Sequence, residues 1–288
     1  MEMYGIVDLD FVIIGQEVEA LDLSKLEDLL RAANAGGTVP IVKLKRPDPN
    51  LVGEIMNLGA PMVMVPHVTN RKILETMVRA SRFQPLGLRG ECPIARYNGF
   101  GALDLKTTYE AANTSNSVIP IIEDKEALDH LDDMMQVEGV DLFEIGPFDL
   151  SLSLGENGKA YNGPKTMAAI EQICEAAQRH GKGVVAPVWH TIKDDSYPAV
   201  YARQMDELIS RGINCLYEID SAFMAVHLTR MGILRSVRTV EDEPVAATPV
   251  AAKTNGKSAA KTGTKAKAKT KTEVKTPAKK PSAKSARG

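Results

Sequence analysis

Short runs of Val, Ile, Leu and Met alternate with longer amphipathic stretches from the N-terminus to about residue 240. The short runs are FVIIG (11–15), PIVKL (40–44), PMVMVPH (61–67), VIPIIE (118–123), DLFEIG (141–146), GVVAPV (183–188) and CLYEI (215–219). Apolar at nearly every position, they predict strands covered on both faces, the habit of parallel sheets. Between them, LSKLEDLLRAANA sets Leu23, Leu26, Leu29 and Leu30 on one helical face, and RKILETMVRASR does so with Ile73, Leu74, Met77 and Val78. KEALDHLDDMMQ and YARQMDELISRG predict two further helices. Repeated strand–helix units imply an open doubly wound sheet or a closed eight-stranded barrel. No G-x-G-x-x-G follows the first strand and no Walker sequence occurs, which favours the barrel. Seven strands are legible. An eighth must precede residue 1, or MEMYGIVD must serve in its place. The poorly periodic segment 82–116, containing GLRGECPIARYNGFG, is expected as a functional loop at the barrel mouth.

Charge divides the chain in two. From residue 251 onward there are 12 Lys or Arg and one Glu, a balance of +11, which leaves 23 basic and 36 acidic residues upstream. The expected organisation is a barrel over 1–240 and a Lys/Ala/Thr/Pro-rich tail over 241–288. That tail has too little to bury to offset its ordering entropy and is expected to be disordered. It is either a solvated appendage or an electrostatic arm making non-specific nucleic-acid contact through 251–288. No apolar run is long enough to span a bilayer and no signal peptide opens the chain, so no membrane partner is expected and the cytoplasm is the expected compartment. Cys92, Cys174 and Cys215 form no zinc spacing or disulfide framework and read as core residues.

Glu123 ends one strand and Asp149 follows the next, one strand–helix–strand unit later. In a parallel barrel both acids come to one edge of the mouth. Two carboxylates there need a cation or a shared proton. Oxygen ligands suit a hard divalent ion such as Mg2+ or Mn2+. The alternative makes Asp149 a helix N-cap and Glu123 a solvated strand end.

IIEDKEALDHLDDMMQVEGVDLFEIGPFDLSLSLG, PIVKLKRPDPNLVGEIMNLGAPMVMVPHV and GLRGECPIARYNGFG resemble the HpcH/HpaI aldolase and citrate-lyase family over residues 8–235. The resemblance implies a TIM (β/α)8-type barrel, here possibly lacking its first strand, assembled as a homo-oligomer. It implies a divalent-metal-dependent carbon–carbon lyase acting on a pyruvate-like 2-oxo acid, with Glu123 and Asp149 as metal ligands. Backbone N–H groups after Gly146 and Pro147 are then placed for the substrate carboxylate, and Lys43 stands where the family has an enolate-stabilising Arg. Lys keeps the charge without the planar fork.

After the first strand the family reads Asp-Gly-Glu-His, and its His and Asp take part in proton transfer. Here Gly15, Gln16, Glu17 and Val18 occupy those places, so only Glu17 matches. His67, at the end of its strand, is a candidate base, with a structural role as the alternative. Arg89 of GLRG is a candidate for substrate contact or for bracing the mouth loop, and His190 and Trp189 are further candidates for lining it. Two rivals follow from GQEV: a metal-dependent decarboxylase or hydrolase that lacks the aldol base, and a non-catalytic barrel tethered to nucleic acid by its tail.

Overall fold

A computed structural model of the chain describes residues 1–17, 21–189 and 197–219, with only the backbone at Tyr197 and Pro198. The chain divides into two units, Met1–Val237 and Arg238–Gly288, and all described residues lie in the first. Val18, His190 and the basic tail lie outside the described residues.

The elements, in chain order, are α1 (Glu2–Ile6), β1 (Phe11–Gly15), α2 (Leu23–Gly36), β2 (Val39–Lys43), α3 (Pro49–Asn57), β3 (Met62–Val65), α4 (Arg71–Ser81) and α5 (Leu105–Ser115). They continue as β4 (Ser117–Ile122), α6 (Lys125–Leu128), α7 (Leu131–Met135), β5 (Leu142–Ile145), α8 (Pro147–Ser153), α9 (Pro164–Arg179), β6 (Gly183–Pro187), α10 (Tyr197–Ser210) and β7 (Cys215–Tyr217). Among the described residues there are seven strands, all parallel and paired in sequence order from β1 to β7. This is the curled sheet of a TIM-type barrel. MEMYGIVD does not supply a strand: it lacks strand alternation and forms α1, which rests on the end of α2. A Cβ at Gly5 would fall 1.7 Å from the Gly36 carbonyl oxygen, so only glycine permits that contact.

Side-chain parity sorts the core into two layers. Ile14, Val42, Val63, Val65, Ile122, Phe143, Ile145 and Val184 point outward into the helices. Ile41, Met64, Ile119, Ile121 and Val185 point inward and fill the barrel. The helices begin where short polar side chains cap them. Asp22, Asp48, Asn70 and Asp104 accept backbone N–H bonds at the starts of α2, α3, α4 and α5. The KEALDHLDDMMQ stretch is broken, giving α6 and α7 on either side of His130.

The segment 82–116 is not a single mouth loop: Leu105–Ser115 forms α5, and 82–104 lies at the other end of the barrel from its expected place. Leu88 and Arg89 donate backbone hydrogen bonds to Arg79 and Arg82, at the C-terminus of α4. Arg89 Nε donates to Asn57 Oδ1 at 3.1 Å, at the C-terminus of α3. Both helices run back from the strand C-termini, so their own C-termini lie beside the strand N-termini. Helices α4 and α5 both precede β4, and the segment between them is thereby held away from the mouth.

Candidate functional site

The inward parity that fills the barrel with aliphatic side chains also brings a charged group to its C-terminal half. Lys43 ends β2 opposite Gly15 and Met64. Glu144 lies on β5 opposite Ile121 and Val185, both inward-facing. Glu123 follows Ile122 and turns inward in step with Ile121. Tyr217 ends β7 opposite Pro187. The layer therefore holds one cation and three carboxylates, counting Glu17, directly above an apolar plug.

Lys43 Nζ contacts Glu17 Oε2 at 2.8 Å, both side chains about a quarter exposed. Burial works to lower the Lys43 pKa, but Glu144, Glu17 and Glu123 outweigh it and the ammonium is held above its ordinary value. Glu123 is buried and its Oε1 accepts the His67 backbone N–H at 2.8 Å. Its Oε2 has no partner among the described residues. Burial raises the Glu123 pKa, opposed by the His67 N–H and by Lys43. His67 has φ of +52°, a left-handed turn at the end of β3. Its Nδ1 stands 3.1 Å from Asp124 Oδ2 and 3.5 Å from Glu123 Oε1. Burial lowers its pKa, yet Asp124 and Glu123 raise it further, for a net upward shift. Ligand atoms of Glu17, His67 and Glu123 all lie within 4.8 Å of one another.

Asp149 is exposed and occupies the first turn of α8, whose N-cap is Gly146 and whose first residue is Pro147. The N-cap reading of Asp149 is thus excluded by its position three residues into the turn. Gly146 lies directly on the site. A Cβ there would fall 2.8 Å from both Cβ and Oε2 of Glu123. Glu123 lies against the cap of this turn, and Asp149 stands exposed in its first turn. A buried carboxylate oxygen with no partner, flanked by further carboxylates and an imidazole, fits a divalent cation.

Arg89 does not reach this group. It is buried with its guanidinium over the rings of Phe83 and Tyr97, 4.5 Å and 4.7 Å from their centroids. Burial lowers its pKa to about 10. It braces the 82–104 segment at the strand N-termini, so the expected substrate contact at the mouth is corrected.

Two members of the group carried no functional expectation. Tyr217 Oη donates to Glu144 Oε1 across 73 residues of sequence. Burial pushes the Glu144 pKa up to about 7, against the influence of Lys43 and the Tyr217 hydrogen bond. The available signal was strand parity. In LFEI, Glu144 alternates with Phe143 and Ile145, which both face the helices, so it must face the barrel interior.

Cavities flank the group on the C-terminal side. One of about 610 Å³ is bordered by Gln16, Asp22, Lys45, Arg46, Asp48 and Glu54. Another of about 520 Å³ is bordered by Phe148, Tyr161, Trp189, Arg203 and Gln204. Trp189 packs edge-on to Phe148, with ring centroids 4.8 Å apart.

Comparison with known proteins agrees with this fold. The family model described as HpcH/HpaI aldolase/citrate lyase matches residues 3–215. A 5-keto-4-deoxy-D-glucarate aldolase of Shigella boydii is 30% identical over 190 residues, 65% of this chain and 72% of that protein. The crystal structure of citrate synthase SbnG superposes with a TM-score of 0.66 at 30% identity, covering 84% of this chain and 89% of the other. A family protein from Burkholderia cenocepacia J2315 superposes with a TM-score of 0.69 at 25% identity, covering 83% and 89%.

Proposed function

The chain belongs to the HpcH/HpaI aldolase/citrate lyase family, and from that premise we propose that it makes or breaks a carbon–carbon bond beside the carbonyl of a small 2-oxo acid. The observation that carries the reading is the unpartnered, buried Glu123 Oε2, set in one inward layer with Lys43. Glu123 and Asp149 would hold a divalent ion, Mg2+ or Mn2+. Bound there, the ion would supply Lewis-acid polarisation of the substrate's oxygens.

The remaining work falls to the chain's own side chains. Lys43 places a fixed positive charge where negative charge develops on the substrate oxygen as the bond breaks. Its three carboxylate neighbours keep it protonated, and the ion pair with Glu17 limits its wandering. Gly146 and Pro147 border the substrate position beside Glu123, and Gly146 keeps that carboxylate in place by presenting no Cβ. We assign the proton step to Glu17, the carboxylate that Lys43 holds at the mouth. Exposed Leu86, Leu88, Ile94, Phe100 and Leu103 on the 82–104 segment support self-association through that face.

Pyruvate in D2O tests the reading without knowledge of the second substrate. With Mn2+ added, the protein is expected to exchange deuterium into the pyruvate methyl group. Lys43→Met should slow exchange by a factor of about 10² to 10³. Absence of exchange by metal-loaded protein would reject the aldol reading. It would leave the second one, a metal-dependent decarboxylase or hydrolase, which Gly15 favours by standing where the family places its Asp.

A further inference from the structure

The ligands implied by the resemblance are two carboxylates. His67, beside the other oxygen of Glu123, adds a different chemistry. His67 follows β3 in a left-handed conformation, which a non-glycine residue adopts only when its surroundings hold it there. What holds it is the site itself: its N–H donates to Glu123 Oε1 at 2.8 Å, and Asp124 Oδ2 lies 3.1 Å from its Nδ1. The turn thereby brings the imidazole over the Glu123 carboxylate, Nδ1 standing 3.5 Å from Oε1. A ring nitrogen of His67, an oxygen of Glu123 and an oxygen of Glu17 fall within 4.8 Å of one another. Two independent features converge there. One is the cluster of mixed donors, and the other is the Glu123 Oε2 atom, buried with no hydrogen-bond partner among the described residues.

We propose that the cation site of this protein is a nitrogen–oxygen site in which the His67 imidazole joins Glu123 and Asp149, with Glu17 beside the ion for the proton step. The inference rests on the metal-dependent reading above and extends it to the identity of the ion. An all-oxygen site suits Mg2+, whereas imidazole adds affinity for Mn2+, Co2+, Ni2+ and Zn2+ in the order of their preference for nitrogen. Asp124 is the carboxylate that orients the ring, the usual arrangement around a ligating histidine. Asp149, on α8, remains the second carboxylate ligand.

The experiment uses the full-length protein loaded with one equivalent of Mn2+ and reads nitrogen coupling by pulsed electron paramagnetic resonance. The expected result is the coupling of a directly bound imidazole nitrogen, lost in His67→Asn while Mn2+ remains bound. Asn adopts left-handed turns readily, so this variant keeps the local backbone conformation. Titration calorimetry should show Co2+ binding weakened by about 10-fold or more in His67→Asn and Mg2+ binding changed far less. Bound Mn2+ without nitrogen coupling, or coupling that persists in His67→Asn, overturns the nitrogen–oxygen site and leaves the metal-dependent lyase standing. Failure of the wild-type protein to bind Mn2+ at all overturns both.

Discussion

Glu144 sits in the barrel interior with one oxygen bonded to Tyr217 and the other without a partner among the described residues. Its folded pKa of about 7 lies above the ordinary 4.5 because burial disfavours the charged form. The folded chain keeps this proton to a higher pH than the unfolded chain does. The group's contribution to stability is therefore complete below about pH 4.5 and is lost as pH rises through about 7. Glu144→Gln retains an oxygen to accept from Tyr217 but does not titrate. In urea titrations at pH 5 and pH 8, wild type should lose up to about 3 kcal/mol more than the variant between the two pH values. Equal losses would show that the carboxyl is already ionised in the fold. Gly146 makes a complementary case. The Cβ of Gly146→Ala would displace Glu123, at a cost of about 1 to 3 kcal/mol from overpacking, together with a loss of Mn2+ affinity. A variant that binds Mn2+ as tightly as wild type would refute the close approach.

Among the elements, α4 shows how local chemistry sets a boundary. Asn70, in extended conformation, accepts the Ile73 N–H at 3.1 Å, and the helix runs from Arg71 to Ser81 with Leu74, Met77 and Val78 buried. Loss of the cap in Asn70→Ala should destabilise the protein by about 1 kcal/mol. Because α4 follows the His67 turn by only a few residues, the same variant probes whether the helix start steadies that turn. Weakened Mn2+ binding beyond the stability loss would show that it does. Strand β5 and helix α8 form the second such unit. The strand ends at Ile145, Gly146 caps the helix, and Pro147 at the first helical position starts the turn that carries Asp149.

Across the whole molecule, long-range polar ties join units that the strands alone do not connect. Arg82 is buried and donates to the carbonyls of Ala112 and Gly139, at 3.1 Å and 3.2 Å, joining the end of α4 to α5 and to the turn before β5. Arg82→Met leaves both carbonyls without this donor. The melting temperature should fall by roughly 5 to 10 °C, read by calorimetry with exchange activity preserved at low temperature. Occupation of the cation site acts at the same scale. Mn2+ at about 100 times its dissociation constant should add about 2.7 kcal/mol of stability, reversed by a chelator and absent in Glu123→Ala.

Local pattern determined much of this protein. Apolar runs and helical spacing placed the seven described strands and helices α2, α4 and α10, because side-chain periods of 2 and 3.6 are properties of the backbone alone. The same periodicity put Glu123 at a strand end and Asp149 just beyond the next one. It could also have shown Glu144 facing inward. Tertiary structure decided the rest. Arg89 and His67 stand in similarly polar, turn-rich contexts, yet one braces the strand N-termini and the other meets Glu123, 56 residues away. Tyr217 finds Glu144 across a still longer stretch. Contacts of that kind depend on which end of the barrel a connection crosses and on the curl that brings non-adjacent strands around a shared interior. Neither is written in the spacing of any single segment.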